Sequence, residues 1–114
     1  MTSPITTHIL DLQRGKPAMD VAVRLFAVSD ESVALLAESL SNTDGRVTDL
    51  LSPGKIEPGT YRLSFATKAY FESVGQEEIF YPSVNVDFVV SESRAHYHVP
   101  LLLSPFGYST YRGS

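Results

Sequence analysis

The chain contains no cysteine. Disulfide staples, a thiolate nucleophile and a cysteine-ligated zinc site are therefore excluded. The absence fits a reducing compartment. Long apolar runs are also missing: no stretch approaches the roughly 20 residues that a membrane helix needs, so no membrane association is expected. Met1 to Leu10 lacks a charged start followed by a long apolar segment, so a secretory leader is not expected. Arg112-Gly113-Ser114 does not read as a peroxisomal address, which leaves a cytoplasmic location as the expectation. Positive charge is scarce. Nine Lys and Arg stand against thirteen Asp and Glu, for a formal net charge of −4 and a pI near 5.2. Without a basic stripe, nucleic acid is not an expected partner.

What is present suits one packed core. The 114 residues are 43% hydrophobic and 19% charged, which argues against disorder and for a single domain spanning residues 1–114. Alternation dominates the pattern. Val21, Val23, Leu25 and Ala27 oppose Ala22, Arg24, Phe26 and Val28. Tyr61, Leu63 and Phe65 share one parity, as do Val84, Val86, Phe88 and Val90. Ile5–Leu10, His96–Leu103 and Gly107–Arg112 complete a set of short predicted strands. Ser32–Leu40 is ambiguous, because its Ala and Leu content suits a helix as well. Lys68–Gly75 reads as a short helix with Gly75 at its C-terminal stop. Asn42-Thr43-Asp44-Gly45 reads as a hairpin-type turn. Many short strands with regular turn signals predict an all-β fold, a β-sandwich.

Chemistry has few places to reside. Of three histidines, two form His96-Tyr97-His98. Residues two apart on a strand share a face, so His96 and His98 point one way while Tyr97, Val99 and Leu101 form the natural core face. By the same parity Thr6, His8 and Leu10 oppose Ile5, Thr7 and Ile9. Three readings stay open at this level. The histidines could be ordinary surface residues. His8, His96 and His98 could ligate zinc, leaving an open position for water. They could instead do metal-free acid–base work, since histidine titrates near neutral pH. Arg46, after Asp44-Gly45, is either an exposed arginine or a fixed guanidinium for a carbonyl-rich substrate. Ser109 and Tyr111 share a face of the last strand. Gly113 gives the backbone room for close approach, and the terminal carboxylate of Ser114 could orient a histidine.

Taken together, these segments resemble a known family. Thr6-Thr7-His8-Ile9-Leu10-Asp11, Arg14-Gly15-Lys16-Pro17-Ala18, Asn42-Thr43-Asp44-Gly45-Arg46 and His96-Tyr97-His98-Val99-Pro100-Leu101-Leu102-Leu103-Ser104-Pro105 are similar to the motifs of transthyretin-related proteins, in order and over essentially the whole chain. The closing Tyr111-Arg112-Gly113-Ser114 resembles the signature of the 5-hydroxyisourate hydrolase branch rather than the thyroid-hormone carrier branch. The carrier also lacks counterparts of His8, Arg46 and His98. Phe106, where a tyrosine is common, is the one minor departure.

The resemblance implies a sandwich of two four-stranded sheets with one short helix. It implies a homotetramer, a dimer of dimers, with sites in a channel between the dimers. The implied activity is that of a cyclic amide hydrolase of urate breakdown. Water adds to 5-hydroxyisourate and the N1–C6 bond is cleaved, giving 2-oxo-4-hydroxy-4-carboxy-5-ureidoimidazoline, with no cofactor and no metal. His8, Arg46, His98 and Ser114 are the implied catalytic residues. His8, Arg46 and Tyr111 are the implied substrate-binding residues, and His96 is at most supporting. A non-catalytic small-ligand carrier and an immunoglobulin-like interaction module are the competing expectations.

Overall fold

Strand alternation resolves into two facing sheets in the computed structural model, which describes residues 3–114. The elements run β1 (Ile5–Asp11), β2 (Lys16–Pro17), β3 (Ala22–Val28), β4 (Val33–Leu40), β5 (Arg46–Val47), β6 (Gly59–Phe65), α1 (Thr67–Ser73), β7 (Val84–Val90), β8 (Tyr97–Ser104) and β9 (Gly107–Thr110). One sheet has the order β4-β3-β6-β7, all antiparallel. The other runs β2-β1-β8-β9, with the two-residue β5 as an additional member beside β1. This is the expected all-β sandwich with one short helix. The second sheet exceeds four strands only because β2 and β5 share the same side of β1. β5 takes Thr7 and His8, and β2 takes Leu10 and Asp11.

The core is the set of residues that the alternation placed inward. Ile5, Ile9, Val23, Leu25, Leu63, Phe65, Leu101 and Leu103 are all buried. Each such side chain contributes roughly 1.5–3 kcal/mol by leaving water. The parallel pairing of β1 with β8 sets the site's geometry, because it places Thr6 opposite His98 and His8 opposite Pro100. Thr7 points inward and its hydroxyl donates to the Val99 carbonyl at 2.6 Å, pinning that register from the core side.

The ambiguous segment Ser32–Leu40 forms a strand, β4, and not a helix. It pairs with β3 and carries a bulge, where Leu25 faces Ala37 but Phe26 faces Leu35. A strand on the sheet edge with mostly exposed residues loses the clean alternation that would have marked it.

The helix falls close to its expected span. Thr67, Tyr70 and Phe71 are its buried residues, at the i, i+3, i+4 spacing of one helical face. Gly75 follows the C-cap Val74 at φ +82, and the Gln76 N–H closes back onto the Phe71 carbonyl at 2.9 Å. The Tyr70 hydroxyl donates to Asp11 Oδ2 at 2.7 Å, and the Arg14 backbone N–H donates to Asp11 Oδ1 at 3.0 Å. Asp11 is fully buried, so these donors hold a carboxylate that would otherwise be costly, and they latch α1 to the end of β1.

The turn at Asn42–Gly45 is real but is not a hairpin. It carries the chain from β4 in one sheet to β5 in the other. Asn42 Oδ1 accepts the backbone N–H groups of Asp44 (2.9 Å) and Arg46 (3.0 Å), which is the side-chain turn chemistry that makes the local sequence look hairpin-like. Gly45 sits at φ +76, and a Cβ there would run into the Ile9 carbonyl. Among the described residues no helix is long and apolar enough to cross a membrane.

Candidate active site

The outer face of the β1–β8 sheet gathers the histidines. Ile5, Thr7 and Ile9 are spent on the core, so Thr6, His8 and Leu10 necessarily face outward. On β8, Tyr97, Val99 and Leu101 face inward, and His98, Pro100 and Leu102 face outward. His8 pairs directly with Arg46 across β1–β5. His98 stands opposite Thr6, one diagonal step from His8, which is about 8 Å at ordinary sheet spacings. Arg46, exposed, is delivered to this position by the turn at Asn42. The Ile9 N–H donates to the Gly45 carbonyl at 2.7 Å and seats that turn against β1. Among the described residues Arg46 makes no ion pair, so its guanidinium is available to a ligand.

The tail returns to His98. Gly113 bridges His98, in the same register that aligns Thr110 with Leu101. β9 therefore resumes at Gly113 after an interruption. Pro100 stands at the intervening rung and has no N–H to donate, which is a physical reason for the gap. The Gly113 N–H donates to the His98 carbonyl at 2.8 Å. A Cβ on Gly113 would come within 2.6 Å of His98 Cδ2 and 3.0 Å of Pro100 Cγ, so only glycine fits beside the ring. Continuing the register places Tyr111 opposite Pro100, on the His98 side, though its side chain is 58% exposed. Arg112 falls on the inner side, its guanidinium 4.7 Å from the centre of the Tyr97 ring. Ser114, exposed, lies one residue past the bridge.

His98 is held on both flanks. Its Nδ1 lies 2.7 Å from Thr6 Oγ1, and Gly113 covers the Cδ2 edge. Among the described residues no protein group hydrogen-bonds its Nε2. Burial, reinforced by the Arg46 guanidinium, His96 and His8, pushes His98 below its ordinary value of 6.5. The lowering favours the neutral ring, the form that can accept a proton. His96 precedes β8 and still stacks beside His98, with ring centres 6.3 Å apart. Its Nε2 lies 3.0 Å from the same Thr6 hydroxyl. Tyr97 closes the loop that carries His96, its hydroxyl accepting the N–H groups of Ser91 and Glu92 at 3.1 and 3.0 Å.

The structure thus brings His8, Arg46 and His98 onto one face, with the Gly113 backbone against the last of them. Ser114 makes no hydrogen bond to a histidine among the described contacts. A hollow of about 290 Å³ between β7, β8 and the tail is lined by His98, Tyr111 and Arg112, but not by His8, Arg46 or Ser114. Among the described residues no three His, Cys, Asp or Glu side chains converge as a metal-ligand set. The zinc arrangement of His8, His96 and His98 loses its geometric support, because Thr6 stands between the facing nitrogens of His96 and His98. Thr6 is the residue that sequence reasoning placed on the correct face and gave no role. Its signal was the parity shared with His8.

Comparison with known proteins narrows the chemistry. The profile of the HIUase/Transthyretin family matches residues 5–113. A 5-hydroxyisourate hydrolase of Mus musculus is 46% identical, over 99% of this chain and 97% of its own length. A solved 5-hydroxyisourate hydrolase from Klebsiella pneumoniae superposes with a TM-score of 0.84 at 37% identity, covering 100% of both chains. A sea bream transthyretin solved in complex with thyroxine superposes with a TM-score of 0.89 at 31% identity, covering 97% of this chain and 95% of its own. The backbone is thus shared by an enzyme and a hormone-binding protein, and only side chains can distinguish them.

Proposed function

The chain belongs to the HIUase/Transthyretin family, and on that premise we propose that it is a 5-hydroxyisourate hydrolase. It adds water to the C6 carbonyl and cleaves the N1–C6 bond of that cyclic amide, giving 2-oxo-4-hydroxy-4-carboxy-5-ureidoimidazoline. The observation that carries this reading is the pairing of His8 with Arg46 on the face where His98 also stands. Hydrolysis needs a base for water, a cation for the tetrahedral oxyanion and an acid for the leaving nitrogen. This face supplies all three without a metal.

In the proposed mechanism neutral His98 takes a proton from water as its oxygen bonds to C6. Such a group contributes about 10²–10⁴-fold. Arg46 binds the carbonyl and stabilises the oxyanion, an effect worth roughly 3–4 kcal/mol for one well-placed donor. As the C6–N1 bond breaks, His8 gives a proton to N1, and exchange with solvent resets both rings. His8 and Arg46 also hold the substrate from one side, and Tyr111 holds it from the other. Ser114 completes the wall through its hydroxyl. The face is open at Arg46 and Ser114 in a single chain, and the reading closes it by assembly. Two dimers pack into a homotetramer with the sites at the dimer–dimer interface. The proposed compartment is the cytoplasm.

His98→Ala and Arg46→Ala test the assignment directly. His98→Ala should abolish turnover and Arg46→Ala should cut it by about 10²–10³-fold, with the assembly intact in both. The carrier reading, which the transthyretin superposition keeps on the table, predicts ligand binding with no acceleration of hydrolysis.

A further inference from the structure

Thr6 is 3% exposed, and its hydroxyl touches two imidazoles at once. Its Oγ1 lies 2.7 Å from His98 Nδ1 and 3.0 Å from His96 Nε2. We propose that Thr6 and His96 together set the tautomer of His98, keeping the proton on Nδ1 so that Nε2 presents a lone pair to the attacking water. The inference rests on the reading of His98 as the base.

The argument is one of proton counting. A hydroxyl has one proton to donate and two lone pairs to accept with. With both rings neutral, and with no other acceptor for the buried hydroxyl among the described residues, its proton goes to one of the two rings, which leaves two arrangements. In one, Thr6 donates to His98 Nδ1 and accepts from His96 Nε2–H. The proton of His98 is then on Nε2, and the ring cannot act as a base toward the open face. In the other, Thr6 donates to His96 Nε2 and accepts from His98 Nδ1–H. His98 Nε2 is then a free lone pair. The nitrogen engaged by a partner decides the state of the nitrogen that does chemistry.

The second arrangement is also the one that the reaction ends in. When His98 accepts a proton at Nε2, both of its nitrogens carry protons, so Nδ1–H must donate to Thr6 and the hydroxyl must turn to His96. Starting in that arrangement requires no reorientation during proton transfer, and preorganisation of this kind lowers a barrier. His96 is the required acceptor. It is exposed, so its own Nδ1–H can donate to water. The stacking of the two rings holds His96 in reach of Thr6. Gly113 against the Cδ2 edge opposes a half-turn of the ring, which would carry Nδ1 away from Thr6 and put Cδ2 in its place. Thr6 and His96 are thus positioning residues that act through His98.

Three variants of the full assembled enzyme test this, each checked for folding by its melting temperature. Thr6→Val keeps the shape and deletes the hydroxyl. It should lower kcat by about tenfold to a hundredfold, by analogy with the cost of losing the partners that orient metal-bound histidines, with KM nearly unchanged. Thr6→Ser should recover most of that loss. His96→Phe, a change at an exposed position, leaves Thr6 with only His98 to donate to and should also lower kcat. Nitrogen-15 NMR of histidine-labelled protein reads the tautomer itself. Wild type should show His98 protonated at Nδ1 and bare at Nε2, and both Thr6→Val and His96→Phe should shift it toward the other form. An unchanged kcat and tautomer in folded Thr6→Val and His96→Phe, with His98→Ala inactive, overturns the relay alone. Full activity in His98→Ala overturns the underlying reading as well.

Discussion

The imidazole of His98 rests on the backbone of Gly113, so close that a Cβ at position 113 would stand 2.6 Å from His98 Cδ2. The C-terminal segment therefore acts as a wall for the proposed base, and its value to the enzyme is positional. Gly113→Ala should push the ring aside or detach the tail. Displacements of about 1 Å can cost as much as 100-fold in rate, so kcat/KM is expected to fall by at least about tenfold. The melting temperature should barely move, because the tail adds little to the core. Steady-state kinetics with a thermal melt on the same sample checks both halves.

Acidity should report on His98. Its value is lowered, chiefly by burial and then by Arg46, His96 and His8. The acidic limb of kcat/KM should accordingly lie below 6.5, with activity falling as pH drops and the ring gains its proton. The sign for stability is the same. The unfolded chain binds that proton more readily than the folded one, so protonation below the ordinary value favours unfolding and stability rises with pH across this window. Arg46→Gln removes one of the causes and should move the limb upward in residual activity. A limb that stays in place would remove Arg46 from the neighbourhood of the base.

Arg46 depends on its turn. Gly45 needs a positive φ, and the Ile9 carbonyl leaves no space for a Cβ. Gly45→Ala should thus reduce activity by displacing a guanidinium it does not itself contain. Arg46→Ala should lose about 10²–10³-fold in kcat, as expected for one oxyanion donor. The two defects separate in stability. Gly45→Ala should lower the melting temperature, and Arg46→Ala, at an exposed position, should not.

The helix latch is predicted to be structural only. Tyr70→Phe leaves the buried Asp11 carboxylate short of one donor and should destabilise the fold by about 1–3 kcal/mol. Burial, together with the bond to Asp11, pushes the Tyr70 hydroxyl up to about 12, so it remains a donor well into alkaline solution. Activity per folded molecule should be unchanged. Denaturant melts alongside kinetics would separate the two effects, and a large kcat defect would contradict this division of labour.

Much of this arrangement was legible in the chain because period-two alternation is a local property. The inward parity of Val99 and Leu101 forces His98 outward, and Ile5 and Ile9 force His8 outward, without any knowledge of the partner strands. The terminal tetrapeptide was legible as a family resemblance, and the register now gives Gly113 a steric reason. Thr6 was not legible as a bridge. Its contact with His98 spans 92 positions and exists only through the parallel register of β1 with β8, which no local pattern encodes. Asn42–Gly45 misled for a related reason. The turn chemistry is local, but whether the flanking strands pair with each other is a property of the whole sheet. β4 was ambiguous because an exposed edge strand has no buried side to mark its period.

The central claim is that the His8, Arg46 and His98 face hydrolyses 5-hydroxyisourate. The most direct test mixes freshly generated 5-hydroxyisourate with the purified assembly and follows its decay spectroscopically against the spontaneous rate. The account predicts strong acceleration by the wild type, with chelator present or absent, and decay at the spontaneous rate with His98→Ala. Wild-type decay no faster than buffer, or an equal acceleration by His98→Ala, would contradict it.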